Sequence, residues 1–183
     1  MKALELRAAA GHFASVERRL FEIAGGWVPT VGEPEVKVLL RVQSFAHAWH
    51  ADLWDEVEPR SGPAIDDAIG QAGAEAGGEA GAALRPVLDA VEDATRTVER
   101  LGGLYRVVLP RLADAYRALS DEAVPASDGP LVRALSLMLS DEIPAIDEAE
   151  RLIGGLPGDP IPHQQRIAAL LADVWGAGMP ELR

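Results

Sequence analysis

"SGPAIDDAIGQAGAEAGGEAGAALR", residues 61–85, carries a glycine every few positions within a chain that otherwise has helical patterning. Each glycine inside a helix costs roughly 1 kcal/mol relative to alanine, so this stretch predicts a loop with a marginal helix. A short helix is expected at 87–93, after Pro86. We therefore interpret 60–94 as a Gly/Ala-rich crossover within a single domain spanning 1–183.

Apolar residues recur at helical spacing on both sides of this crossover, and no segment alternates apolar and polar residues as a strand would. The sequence therefore predicts an all-α fold. The predicted helices, the last of them a short fifth helix, are 3–24, 33–58, 96–119, 129–154 and 163–176. Helices one and two, and helices three and four, are joined by loops of under about ten residues, so each pair is expected to be antiparallel. Pro110 should kink the third helix.

The apolar stripe of each helix predicts which polar residues point inward. On the second helix the stripe places His50 inward and His47 on its flank; its apolar members are Leu39, Val42, Ala46, Trp49, Leu53 and Val57. Glu142 lies within the stripe of the fourth helix, and Glu17 lies at the edge of the first. Tyr105 is the inward polar residue of the third. An unpaired buried carboxylate is costly, which makes Glu142 the most informative acid in the chain.

Composition excludes several classes of function. The net charge of −12 and pI of about 4.7 argue against nucleic acid and against an anionic membrane surface as partners. The chain has no cysteine, which excludes thiolate catalysis and Cys-ligated metals and fits a cytoplasmic protein. No apolar run approaches the roughly 20 residues of a membrane span, and the first residues lack the apolar core of a signal peptide. A small-molecule ligand remains as the expected partner.

Two helical hairpins, a long crossover and a short fifth helix resemble the ferritin-like superfamily. The resemblance implies a four-helix bundle whose di-iron ligands are one Glu from each of two helices and a Glu-x-x-His from each of the other two. Neither Glu-x-x-His motif is complete here. A Glu-x-x-His motif that ends at His50 would need Glu at position 47, which is His. A motif that begins at Glu142 would need His at position 145, which is Ala.

The candidate site therefore combines histidines with few carboxylates. Its candidate catalytic residues are His50, Glu142 and Tyr105, and its candidate metal ligands are His47, His50, Glu142 and Glu17. The carboxylates are too few for a di-iron centre, so the expected cofactor is either none or a single Fe or Mn ion. The primary hypothesis is a ferritin-like protein with a degenerate metal site, which binds or transforms a small molecule or acts as an accessory protein. The alternative is an Fe- or Mn-dependent oxidase or oxygenase of small-molecule metabolism with a His/His/Glu site.

Each candidate also has a purely structural interpretation. His50 can be a neutral core histidine hydrogen-bonded to Glu142, His47 can lie over Trp54, and Glu17 can pair with an arginine at the rim. The arginines considered are Arg18 and Arg100, and the histidines expected at the surface are His12 and His163. A third hypothesis is an oligomeric module joined through Trp-bearing helix faces; a homo-oligomer is expected, with a dimer favoured.

Overall fold

The structure is a computed structural model that describes the backbone of residues 3–57 and 83–178, with the side chains of 6–57 and 83–174. Within these ranges every regular element is helical and no strand occurs. The elements are α1 Ala3–Trp27, α2 Pro34–Val57, α3 83–92, α4 Thr97–Gly103, a π-helical segment Leu104–Val108, α5 Leu109–Glu122, α6 Gly129–Ile153 and α7 Ile161–Gly178. The prediction of an all-α chain is confirmed.

Contacts between the long helices define their directions. Phe13, in the first half of α1, stacks on Trp54 near the end of α2, whereas the hydroxyl of Ser44, in the first half of α2, donates to the carbonyl of Phe21, so the two helices run antiparallel. His50 lies beside Asp141, and Glu35 lies beside Arg151, so α2 and α6 are also antiparallel. α6 packs in turn against α5 and the π-helical segment, and α7 packs on α4. The interior of this arrangement holds one hydrophobic core.

The third predicted helix is continuous but changes its hydrogen-bond register. The N–H of Leu109 donates to the carbonyl of Leu104, five residues earlier, directly before Pro110. A proline removes one N–H donor and crowds the carbonyl four residues before it, and the wider turn accommodates both effects. The expected kink therefore takes the form of a π-helical turn. Both tyrosines of the chain, Tyr105 and Tyr116, are buried on this helix.

The predicted inward face of α2 was wrong at Val42 and Trp49, which are 54% and 39% exposed, whereas Leu39, Ala46 and His50 are buried as predicted. The buried face also carries Val36, Leu40, Gln43, His47 and Trp54. Apolar periodicity identifies a stripe without saying which side of the helix it occupies. α2 has apolar residues on two faces, and packing between α1 and α6 buries the face with the histidines.

Two further predictions about exposure were also wrong. Glu17 was placed at a stripe edge and His12 at the surface, but they are 0% and 1% exposed. Residues 60–82 of the predicted crossover lie outside the described part of the chain. Among the described helices, none is long and apolar enough to cross a membrane.

Candidate metal centre

Four ionisable side chains from three helices converge inside the core. α1 supplies Glu17, α2 supplies His47 and His50, and α6 supplies Glu142; all four are completely buried. The two histidines share one face of α2 because residues three apart lie one above the other on a helix. One nitrogen or oxygen of each side chain lies within 4.8 Å of the corresponding atoms of the other three. These four residues are hereafter called the buried cluster.

The distances within the buried cluster place both histidine rings against both carboxylates. The Nδ1 atom of His47 lies 2.6 Å from Glu17 Oε2 and 3.4 Å from Glu142 Oε1. The Nδ1 atom of His50 lies 3.4 Å from Glu142 Oε1 and 3.6 Å from Glu17 Oε1. Two imidazole nitrogens and two carboxylates therefore face a common centre. Separations near 3.4 Å are those expected between neighbouring ligands of one ion whose metal–ligand bonds are about 2.0–2.2 Å.

Several atoms of the buried cluster have no hydrogen-bond partner among the described residues. They are both carboxylate oxygens of Glu142, Nδ1 of His50 and Nε2 of His47. Buried polar groups are normally satisfied, and an isolated buried carboxylate is especially unfavourable. A cation at the common centre would coordinate Glu142 and His50 and remove most of this deficit. The donor set therefore fits a metal ion.

Without an ion, the electrostatics of the buried cluster favour charged histidines. Burial disfavours the charged imidazole, but the carboxylates of Glu142 and Glu17 outweigh it and raise the pKa of His50 to about 10. The same balance raises the pKa of His47. Burial alone would raise the pKa of Glu17, yet the charge and hydrogen bond of His47, together with His50, lower it to about 2. The metal-free cluster therefore consists of ion pairs.

Residues outside the buried cluster hold two of its members in place. Asp141 Oδ2 lies 3.2 Å from Nε2 of His50, so it fixes the ring with Nδ1 toward the centre. The hydroxyl of Tyr116 donates to Glu17 Oε1 at 2.5 Å, and Nε1 of Trp54 donates to the same hydroxyl at 3.2 Å. Neither Asp141 nor Tyr116 was predicted from the sequence. Helical spacing from the buried Leu112 and Leu119 would have indicated Tyr116, whereas no sequence signal distinguishes Asp141 from the other acids.

Tyr105 is inward, as predicted, but does not belong to the buried cluster. It is 1% exposed, and its hydroxyl has no hydrogen-bond partner in the described part of the chain. Burial, with a contribution from the negative charge of Glu142, raises its pKa well above 10.

The structural alternatives for Glu17 do not occur. Arg18 pairs with Asp55 instead, and Arg100 donates to the carbonyl of Ala94 and to Thr30. His163, on α7, approaches the π-helical end of α4 and is partly buried. The predicted candidates His47, His50, Glu17 and Glu142 thus lie close to one another, and His50 also contacts the partly exposed Asp141.

Comparison of the chain with protein-family models, with curated proteins and with solved structures found no match.

Proposed function

We propose that the protein binds one divalent transition-metal ion through Glu17, His47, His50 and Glu142. The main support is the convergence of these four buried side chains, in which neither oxygen of Glu142 has a hydrogen-bond partner among the described residues. Two carboxylates balance the charge of a divalent ion, and neutral imidazoles complete the donor set. Such a site is a degenerate form of a di-iron centre, since it holds one ion rather than two.

The surroundings of the site favour a redox-active ion, Fe or Mn, over zinc. Tyr116 is hydrogen-bonded to the ligand Glu17, and Trp54 is hydrogen-bonded to Tyr116. Tyrosine and tryptophan are the most readily oxidised aromatic side chains, and a hydrogen-bonded pair beside a ligand can exchange an electron with the ion. Nitrogen and oxygen donors without thiolate suit both iron and manganese.

This donor set supports an Fe- or Mn-dependent oxidase or oxygenase acting on a small molecule. Glu17, His47, His50 and Glu142 would hold the ion, and the ion would supply one-electron chemistry. The chain's own contribution is to hold the ligands and to exclude bulk water, since all four are fully buried. Asp141 fixes the His50 ring, and Tyr116 fixes the Glu17 carboxylate.

The helix directions support a ferritin-like topology for this bundle. α1 runs antiparallel to α2, and also to α4–α5, because Phe13 contacts Tyr116 whereas Trp27 contacts Arg100. α2 and α4–α5 therefore run in the same direction. A chain joining two parallel helices must return along the length of the bundle, which is the role of the crossover in ferritin-like proteins.

A second candidate function is metal-free acid–base chemistry in the same cluster. Its supporting observation is the 2.6 Å contact between His47 Nδ1 and Glu17 Oε2, which is a hydrogen-bond distance with no room for an ion between the two atoms. In this candidate, a charged imidazole paired with a carboxylate would give a proton to a bound small molecule and take it back.

Elemental analysis separates the two candidates. The wild-type chain should be purified without chelator, reconstituted anaerobically with Fe(II) or Mn(II), desalted and analysed for metal content. We expect about one ion per chain from the single-site donor set. The variants Glu142→Gln and His50→Ala should lose the ion because each removes a ligand.

His163→Ala is the matched control, since it removes a histidine outside the buried cluster, and it should keep the ion. Circular dichroism establishes that each variant is folded. A metal-free wild-type chain after reconstitution with Fe, Mn and Zn would refute the metal site and favour the acid–base candidate. Retention of the ion by Glu142→Gln and His50→Ala would show that the ion binds elsewhere.

A further inference from the structure

The outward face of α2 carries a row of exposed apolar side chains. Val38, Val42, Phe45 and Trp49 are 64%, 54%, 78% and 39% exposed. They follow one another at intervals of four, three and four residues, so they form one stripe along the helix. Isolated exposed apolar residues are common, but an aligned row that includes two aromatic rings marks a contact surface. These four residues are hereafter called the α2 stripe.

The intervals between the four residues of the α2 stripe are the same whether they are counted from Val38 or from Trp49. In an antiparallel pair of identical helices, Val38 therefore lies level with Trp49 of a second copy, and Val42 lies level with Phe45 of that copy. Each layer matches a small side chain with a large aromatic one, which is the size alternation that helix packing requires. A parallel pair would instead place aromatic rings on aromatic rings and leave the valines facing each other.

Charges on the exposed side of α2 favour the same pairing. Lys37 and Arg41 lie in its first half, where the acid Glu35 pairs with Arg151 of α6. The second half carries the acids Asp52, Asp55 and Glu56, of which Asp55 pairs with Arg18. Antiparallel packing brings the basic half of one helix against the acidic half of the other and also opposes the two helix dipoles. In this register Lys37 is offset by about 3 Å along the axis from Asp52 of the second copy. Neither residue forms an ion pair within the described part of the chain.

We propose that the protein is a homodimer in which the α2 stripe packs antiparallel against the α2 stripe of a second copy around a two-fold axis. A two-fold interface uses the same patch on both subunits, so it must be complementary to itself. The α2 stripe meets this requirement in spacing, in size and in charge. The interface is independent of the proposed function, because it occupies the side of α2 opposite His47 and His50.

Substitution of Phe45 tests the interface. Sedimentation equilibrium of the wild-type chain should show a dimer, and Phe45→Asp should raise the dissociation constant by about 30-fold or more, as loss of a central aromatic anchor does. Val124→Asp is the matched control, since Val124 is 52% exposed in the loop before α6, and it should leave the dimer unchanged. Circular dichroism confirms that both variants fold.

Cysteine cross-linking tests the antiparallel register, and the chain has no cysteine that would interfere. In the proposed dimer, two copies of residue 42 are offset by about 4.5 Å along the helix axis, whereas two copies of residue 38 are offset by about 16 Å. Val42→Cys should therefore form a disulfide-linked dimer on oxidation, and Val38→Cys should not. Equal cross-linking of both variants would indicate a parallel pair and overturn the proposed arrangement.

Charge reversal gives a third readout. Lys37→Asp should weaken the dimer, and Lys37→Asp combined with Asp52→Lys should restore it, because the pair is exchanged across the interface. Failure of the double variant to restore the dimer would contradict the register. A wild-type chain that stays monomeric at its highest soluble concentration would overturn the interface itself. Neither result bears on metal content.

Discussion

Asp141 Oδ2 lies 3.2 Å from Nε2 of His50 and links a side chain that is 38% exposed to one that is completely buried. The contact determines which ring nitrogen faces the buried cluster, because the nitrogen bonded to Asp141 is not available to an ion. His50 therefore presents Nδ1 to Glu142 and Glu17. This carboxylate–histidine pair lies behind the proposed ligand shell.

Asp141→Asn should weaken metal binding without removing a ligand. Loss of such an outer carboxylate typically reduces affinity about 10- to 100-fold, because the ring is less basic and less well oriented. Competition against a chelator of known affinity measures the change. Asp147→Asn on the same helix is the control, and an equal loss of affinity in that variant would show that overall charge, rather than the His50 contact, is responsible.

Tyr116→Phe and Tyr105→Phe should differ in stability although both remove one buried hydroxyl. The Tyr116 hydroxyl donates to Glu17 and accepts from Trp54, whereas the Tyr105 hydroxyl has no hydrogen-bond partner in the described residues. Loss of a hydrogen bond to a charged group costs about 1.5–3 kcal/mol, so urea denaturation should show a lower free energy of unfolding for Tyr116→Phe. Tyr105→Phe should be close to neutral, and a reversed order would contradict the proposed role of Tyr116.

The metal-free protein should lose stability as the pH rises from about 6.5 to about 10. His50 has a folded pKa of about 10 against an ordinary value of 6.5, so its contribution is complete below pH 6.5 and disappears as the folded protein releases the proton. The loss can reach about 1.4 kcal/mol per pH unit for one proton. Urea denaturation of chelator-treated protein at a series of pH values measures it.

At acidic pH the free energy of unfolding should change in the opposite direction and fall as the pH falls. In the folded protein Glu17 has a pKa of about 2, against an ordinary value of 4.5. Its contribution to stability is therefore complete above pH 4.5 and disappears as the pH falls toward 2.

Metal-loaded protein should show little of the loss of stability at alkaline pH, because the ion keeps both imidazoles deprotonated in the folded state. His50→Gln should also flatten the alkaline limb, while His163→Gln should retain it. An unchanged alkaline limb in His50→Gln would contradict the ion-pair assignment.

Gly102→Ala and Gly11→Ala should have opposite effects on stability. A Cβ at Gly102 would lie 2.8 Å from Cβ of Pro160 and 2.6 Å from the side-chain nitrogen Nε2 of Gln164, so the rigid ring of Pro160, directly before α7, must shift. Overpacking of this kind costs about 1–3 kcal/mol. A Cβ at Gly11, within α1, would meet nothing within 4 Å, and alanine there should add about 0.5–1 kcal/mol. Thermal denaturation of both variants checks the contrast.

The sequence alone determined the helices and most of the site. Helical periodicity, glycine pairs and prolines are local signals, so the ends of long helices can be predicted closely. The predicted helices 129–154 and 33–58 agree to within one residue at each end with Gly129–Ile153 and Pro34–Val57. The absence of cysteine excluded thiolate ligands from any metal site. Glu142 was identified because a carboxylate in an apolar stripe requires a partner, and that argument needs no coordinates.

The tertiary structure decided which face of α2 is buried and which polar atoms meet. α2 carries apolar residues on opposite faces, and a single helix cannot show which face will contact α1 and α6; this is why Val42 and Trp49 were misplaced. The hydrogen bond from Tyr116 to Glu17 joins residues far apart in the chain. Such contacts depend on how helices pack at distances and angles set by all their side chains together, so no local pattern records them.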